Sequence, residues 1–77
     1  MRRTTFRELQ ERLCELLVEE RKEADLTQRE VAKRLGVYAS YVSKYENGER
    51  RLDVVEFLAV AEAIGFDPKE IIADLLE

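Results

Sequence analysis

Between Leu26 and Arg51 the chain gathers side chains that donate hydrogen bonds or carry positive charge: Gln28, Arg29, Lys33, Arg34, Ser40, Ser43, Lys44, Asn47, Arg50 and Arg51. The adjacent guanidiniums of Arg50 and Arg51 suit bidentate binding of phosphate, because each planar fork matches two oxygens of one anion. The basic character is local. Residues 1–25 hold six basic and seven acidic side chains, residues 26–51 six and three, and residues 52–77 one and seven; the segment charges of −1, +3 and −6 make up the net −4. A basic middle followed by an acidic tail is compatible with binding a phosphate backbone through one face, whatever the charge of the whole chain.

Other chemistries are missing. With no His, no Trp and one Cys, the chain has no Ser-His-Asp set, no Cys-His pair and no four-ligand zinc site, so neither a metal nor a cofactor is expected. Its carboxylates read as helix-surface and capping residues with no constellation to organise a reaction, which makes an enzyme the reading the residues support least. Seventy-seven residues suffice for one small domain with one core, residues 1–77 being read as a single unit. A composition of 45% apolar and 39% charged residues is that of a folded chain. Cys14, set among Leu13, Leu16 and Leu17, reads as a half-buried structural residue in a reducing compartment. No apolar run approaches the roughly 20 residues of a membrane span. The basic start Met1-Arg2-Arg3 has no apolar signal stretch behind it, and the expected location is cytoplasmic.

The elements that must position these side chains are helices. Phe6, Leu9, Leu13, Leu16 and Leu17 recur as an amphipathic stripe behind a Thr5–Glu8 capping box, which predicts a first helix over about 6–24. Thr27 with Glu30 opens a second over about 28–35, closed by Gly36. Tyr41, Val42 and Tyr45 mark a third over about 39–47, which Asn47-Gly48 can end in the left-handed conformation. Asp53 with Glu56 starts a fourth over about 54–64, stopped by Gly65. Asp67-Pro68-Lys69-Glu70 starts a fifth over about 68–76. The fold class is therefore all-α, with five helices and no strand. Leu13, Leu17, Val31, Ala32, Leu35, Val42, Tyr45, Leu52, Phe57, Leu58, Ala61 and Ile64 are the expected core.

The second and third helices are joined by Gly36 and about two more residues, a connection suited to a near-perpendicular crossing: helix-turn-helix geometry. Such a pair can place its second helix in the major groove of B-DNA while the first aims its N-terminus at a phosphate. At this point the chain resembles the phage-repressor and Cro-like (XRE-type) helix-turn-helix family. The resemblance rests on Leu26-Thr27-Gln28-Arg29-Glu30-Val31-Ala32, Leu35-Gly36-Val37, Val42-Ser43-Lys44-Tyr45-Glu46-Asn47-Gly48-Glu49-Arg50-Arg51 and Leu58-Ala59-Val60-Ala61, together in register over about residues 13–68. It implies a compact lambda-repressor-like DNA-binding domain.

The resemblance also implies roles. The family's base-reading positions fall on Ala39, Ser40 and Lys44, with Tyr38 and Ser43 close by. Lys44 can donate to guanine O6 or N7, Ser40 can meet several base edges, and the Ala39 methyl can touch a thymine methyl. Many members carry Gln where this chain has Ala39, so direct readout is thinner here and DNA shape is expected to share in specificity. Tyr38 replaces the usual small hydroxyl cap; its phenol reaches DNA or its ring covers the junction between the second and third helices, and the third helix starts at Ser40 or relies on packing. Phosphate contacts are expected from Thr27, Gln28, Asn47, Arg50 and Arg51. The family pattern pairs Arg21 with Glu46, tying the first helix to the third, and Arg21 can alternatively reach a phosphate. Asp25 stands where a Gly is frequent, in a left-handed position.

Ile71, Ile72, Leu75 and Leu76 exceed what a five-helix core of this size uses, and they are the expected surface of a twofold dimer. The leading reading is a dimeric, sequence-specific regulator of transcription, expected to repress, that binds palindromic double-stranded DNA. The alternatives are an antitoxin-like module whose C-terminal part binds a protein partner, and a protein-interaction domain that has lost DNA binding.

Overall fold

The computed structural model describes residues 5–77; Met1-Arg2-Arg3 lies outside the described residues. Five helices follow in order: α1 (Phe6–Glu23), α2 (Gln28–Leu35), α3 (Ala39–Glu46), α4 (Val54–Ile64) and α5 (Pro68–Leu75). No strand occurs among the described residues. Three of the starts are reciprocal capping boxes, Thr5 with Glu8, Thr27 with Glu30 and Asp53 with Glu56, each satisfying two backbone N–H groups that a helix start leaves open. α5 begins instead with Asp67 accepting from the Lys69 N–H and Pro68 in the first turn.

α1, α3 and α5 each end one residue before the sequence-based limit, because Ala24, Asn47 and Leu76 are the capping residues. The left-handed residue after α3 is Gly48 (φ 84°), while Asn47 stays at φ −97°; the residue without a Cβ takes the conformation that strains any other. Asp25 is left-handed (φ 58°), as its place in the sequence suggested. Gly36 (φ 74°) turns the chain between α2 and α3, and the Val37 N–H returns to the Ala32 carbonyl at 3.0 Å.

α2 packs on both α3 and α4, and α1 packs on α3 and α5. Leu17, Val31, Val42, Tyr45 and Val60 are almost completely enclosed where these helices meet, each burial stabilising by roughly 1.5–3 kcal/mol. The enclosed set departs from the expected core at several places, Leu16 and Leu26 being buried in addition to those named. Leu58 is 47% exposed, whereas Val60 is buried. α4 is apolar on nearly every side, so composition does not select its inner stripe; the buried set Phe57, Val60, Ala61 and Ile64 keeps helical spacing and Leu58 falls outside it. Phe6 is exposed because the 18-residue α1 runs past the eight-residue α3 and α5 against which it packs. Finally, Ile71 is only 5% exposed and belongs to the core; Ile72 and Leu76 remain on the surface and Leu75 is half-buried. Cys14 is buried, its thiol donating to the Tyr45 carbonyl at 3.3 Å, with burial raising its pKa.

Candidate nucleic-acid interface

α3 is anchored through one side and open on the other. Val42 and Tyr45 are in the core, while Ala39, Ser40 and Lys44 are exposed on the face that helical spacing gives them. Ser43 sits at the edge of that face, half-buried, its hydroxyl donating to the Ser40 carbonyl at 3.2 Å and thereby left with acceptor lone pairs. Tyr38 is 87% exposed and makes no side-chain capping bond. The ring stands in solvent, so it does not cover the α2–α3 junction. α3 nevertheless starts at Ala39, its first turn closed by the Tyr41 N–H on the Tyr38 carbonyl at 2.9 Å.

Glu46 organises the flank of α3 that faces α1 and α2. Its carboxylate accepts from Arg21 Nε at 2.6 Å, Arg21 Nη2 at 3.1 Å and Gln28 Nε2 at 2.9 Å, and Arg21 Nη1 donates to the Leu26 carbonyl at 2.9 Å. The pair is sheltered, with the Arg21 and Glu46 side chains 13% and 6% exposed, and the hydrogen bonds that Arg21 donates to Glu46 raise its pKa. Arg21 is thus committed to the pair rather than held out for a phosphate. The Gln28 amide also binds Glu46, which the sequence did not indicate, and retains one N–H at the start of α2.

The other flank is organised by Glu56. Arg50 Nη2 and Nη1 donate to it at 2.6 and 3.3 Å, and the Tyr41 hydroxyl donates at 3.1 Å. The Arg50 guanidinium lies 4.5 Å from the Tyr41 ring centroid, and Arg50 Nη1 also donates to the Arg51 carbonyl at 2.8 Å. The Arg50 hydrogen bond and the Asp53 N–H hold the Glu56 carboxyl down at about 2. Arg50 is therefore occupied within the protein and does not form a free two-arginine grip with Arg51, which is exposed. Tyr41 and Glu56 were missed as partners: Glu56 reads locally as a capping residue, and five residues of loop and helix separate it from Arg50.

Two grooves border the open face. Arg21, Lys22, Asp25, Thr27, Gln28 and Ala39 line one, and Val37, Tyr38, Ser40, Tyr41, Lys44 and Arg50 line the other. Thr27 is exposed but its hydroxyl oxygen already accepts from the Glu30 N–H, and the returning Thr27 N–H lowers the Glu30 pKa. Asn47 is exposed after α3, its Oδ1 accepting from the Glu49 N–H at 3.2 Å. Arg34 ties α2 to the end of α4 through the Ala63 carbonyl at 2.8 Å. The arrangement presents one ammonium, hydroxyls and a methyl on a rigid helix, with Arg51 and Asn47 beyond its end. Such a set has the chemistry to meet base edges and a phosphate backbone. Among the described residues, none of the helices is long and apolar enough to cross a membrane.

The Helix-turn-helix (HTH_3) family model matches residues 17–71. An XRE-family like protein from Pseudomonas syringae pv. tomato str. DC3000 is similar in structure, with a TM-score of 0.86 and 46% identity over 90% of this chain and 84% of that one. The restriction-modification controller protein C.AhdI from Aeromonas hydrophila matches with a TM-score of 0.74 and 31% identity over 80% of this chain and 94% of that one. The clp gene regulator ClgR from C. glutamicum gives 0.80 and 25% identity over 88% of each chain. No curated protein matches the sequence. The chain belongs to the XRE-type helix-turn-helix family of DNA-binding transcriptional regulators.

Proposed function

We propose that this regulator reads a palindromic operator as a homodimer, laying α3 in the major groove of each half-site, with the half-sites about 34 Å apart. The observation that carries the reading is the exposed Ala39–Ser40–Lys44 face of a helix whose other side is locked in the core. Lys44 meets a guanine edge, Ser40 a base edge and Ala39 a thymine methyl; Arg51, Asn47, Thr27 and the remaining Gln28 N–H hold phosphates. Ser43 and Tyr38 border the base-reading set, and the missing amide at Ala39 leaves a larger share of specificity to DNA shape. Repression follows from occupancy of the operator.

Dimerisation uses the apolar surface of α4 and α5. Val54, Leu58, Ile72 and Leu76 are exposed there, beside a groove lined by Leu13, Leu52, Phe57 and Leu75. Ile71, being core, is not part of it. Purified protein mixed with random duplex DNA, with bound sequences selected and read, tests both proposals. The expected result is an enriched palindrome whose affinity falls steeply with salt. A folded protein that enriches nothing at low salt overturns the reading, and a monomer that carries a second polypeptide through purification assigns the apolar surface to that partner.

A further inference from the structure

The Tyr41–Arg50–Glu56 cluster joins three separate pieces of chain: α3, the loop after it and the first turn of α4. Glu56 accepts four hydrogen bonds, since besides the two from Arg50 and the one from Tyr41 its Oε1 takes the Asp53 N–H at 2.9 Å. The loop is further closed on α3 by the Glu49 and Arg50 N–H groups, both donating to the Lys44 carbonyl. An isolated surface ion pair stabilises little, but this one is bidentate, stacked on an aromatic ring and shared with a hydroxyl, which fixes its geometry.

We propose that Glu56 is a positioning residue for DNA recognition: it holds Arg50 against the Tyr41 ring and so sets the register between Lys44 on α3 and Arg51 beyond it. α3 is then held from both flanks, by Glu46 towards α1 and α2 and by Glu56 towards α4. The inference rests on the DNA-facing reading of α3. It differs from a competing role in which Glu56 merely withholds Arg50 from phosphate, because the two predict opposite effects. Releasing a withheld cation tightens binding to any duplex and steepens the salt dependence; losing register weakens the selected duplex alone.

The test compares wild-type, Glu56→Gln and Tyr41→Phe proteins on the selected duplex and on a random duplex across salt, with thermal melts to verify folding. Glu56→Gln keeps the volume and a capping oxygen. Its affinity for the selected duplex is expected to fall about tenfold, from loss of a charge-assisted contact, while random-duplex affinity and salt slope stay unchanged. Tyr41→Phe, which keeps the ring under Arg50, is expected to lose about threefold. If Glu56→Gln fails to fold, Arg50→Lys retains the charge without the fork and is expected to show the same selective loss. An unchanged ratio between the duplexes, or tighter binding to both with a steeper slope, overturns the role. Wild-type protein that does not discriminate overturns the DNA reading, and this role with it.

Discussion

Replacing Glu46 with Ala should cost this protein a large part of its stability. The carboxylate accepts three hydrogen bonds, two from Arg21 and one from Gln28, in a site where the paired side chains are 13% and 6% exposed. Truncation leaves Arg21 sheltered with only the Leu26 carbonyl as partner. Breaking a buried pair from one side costs about 3–5 kcal/mol, and the remaining exposure of Arg21 places this case near about 3 kcal/mol. A chain of 77 residues has about 4–12 kcal/mol to lose. The melting temperature should therefore fall by about 12–24 °C. The double variant Arg21→Met/Glu46→Leu removes both charges and should recover about 2 kcal/mol of the loss, since no uncompensated guanidinium remains. Urea unfolding followed by helical circular dichroism measures both, the midpoint moving at constant slope. A Glu46→Ala protein within about 0.5 kcal/mol of wild type, against the cost of a broken buried pair, or a double variant as unstable as the single, would show that Glu46 does not compensate a sheltered Arg21 charge. The single variant should also bind DNA more weakly because α3 is freed; unchanged affinity in folded protein contradicts that part.

Ile71→Ala should destabilise by about 3 kcal/mol in urea without altering the association state, whereas Ile72→Ser and Leu58→Ser should leave the midpoint nearly unchanged and shift sedimentation towards monomer. Among the described residues the buried Tyr45 hydroxyl has no hydrogen-bond partner, and burial pushes its pKa well up; Tyr45→Phe should be neutral or stabilising by up to about 1 kcal/mol, and a marked loss of stability would contradict the orphaned hydroxyl. The Glu56 carboxyl titrates at about 2 in the folded protein, below its ordinary 4.5. Its contribution is thus complete above the ordinary value and disappears as pH falls through the window towards 2. Acid unfolding of Glu56→Gln should be correspondingly less steep in that window, and an unchanged acid limb would contradict the Arg50 pairing.

Features that depend on neighbours in sequence were legible, and features that depend on neighbours in space were legible only in part. Thr5–Glu8, Thr27–Glu30 and Asp53–Glu56 are three residues apart, so the partner that completes each cap is visible in the sequence, and the helix starts follow. The inner stripe of α4 was legible at Phe57, Ala61 and Ile64 but not at Leu58 and Val60, because Val54, Val55, Leu58 and Val60 are all apolar and only packing decides which are enclosed. Ile71 and Ile72 are adjacent and chemically identical, yet α5 buries the first and exposes the second. The Arg21–Glu46 pair spans 25 residues and was reached through family resemblance alone. Nothing local marks Arg50 and Tyr41 as partners of Glu56, since an Arg after a recognition helix is as suited to phosphate as to a carboxylate.

In the proposed complex α3 reads bases through Lys44 while Arg51 holds the backbone. Parallel titrations of Lys44→Ala and Arg51→Ala on the selected duplex and on single-base variants of it test this most directly. Lys44→Ala is expected to lose discrimination at one base pair per half-site, at about 1–3 kcal/mol, whereas Arg51→Ala is expected to weaken all duplexes alike and to lower the salt slope by about one. Unaltered base preference in Lys44→Ala would contradict it.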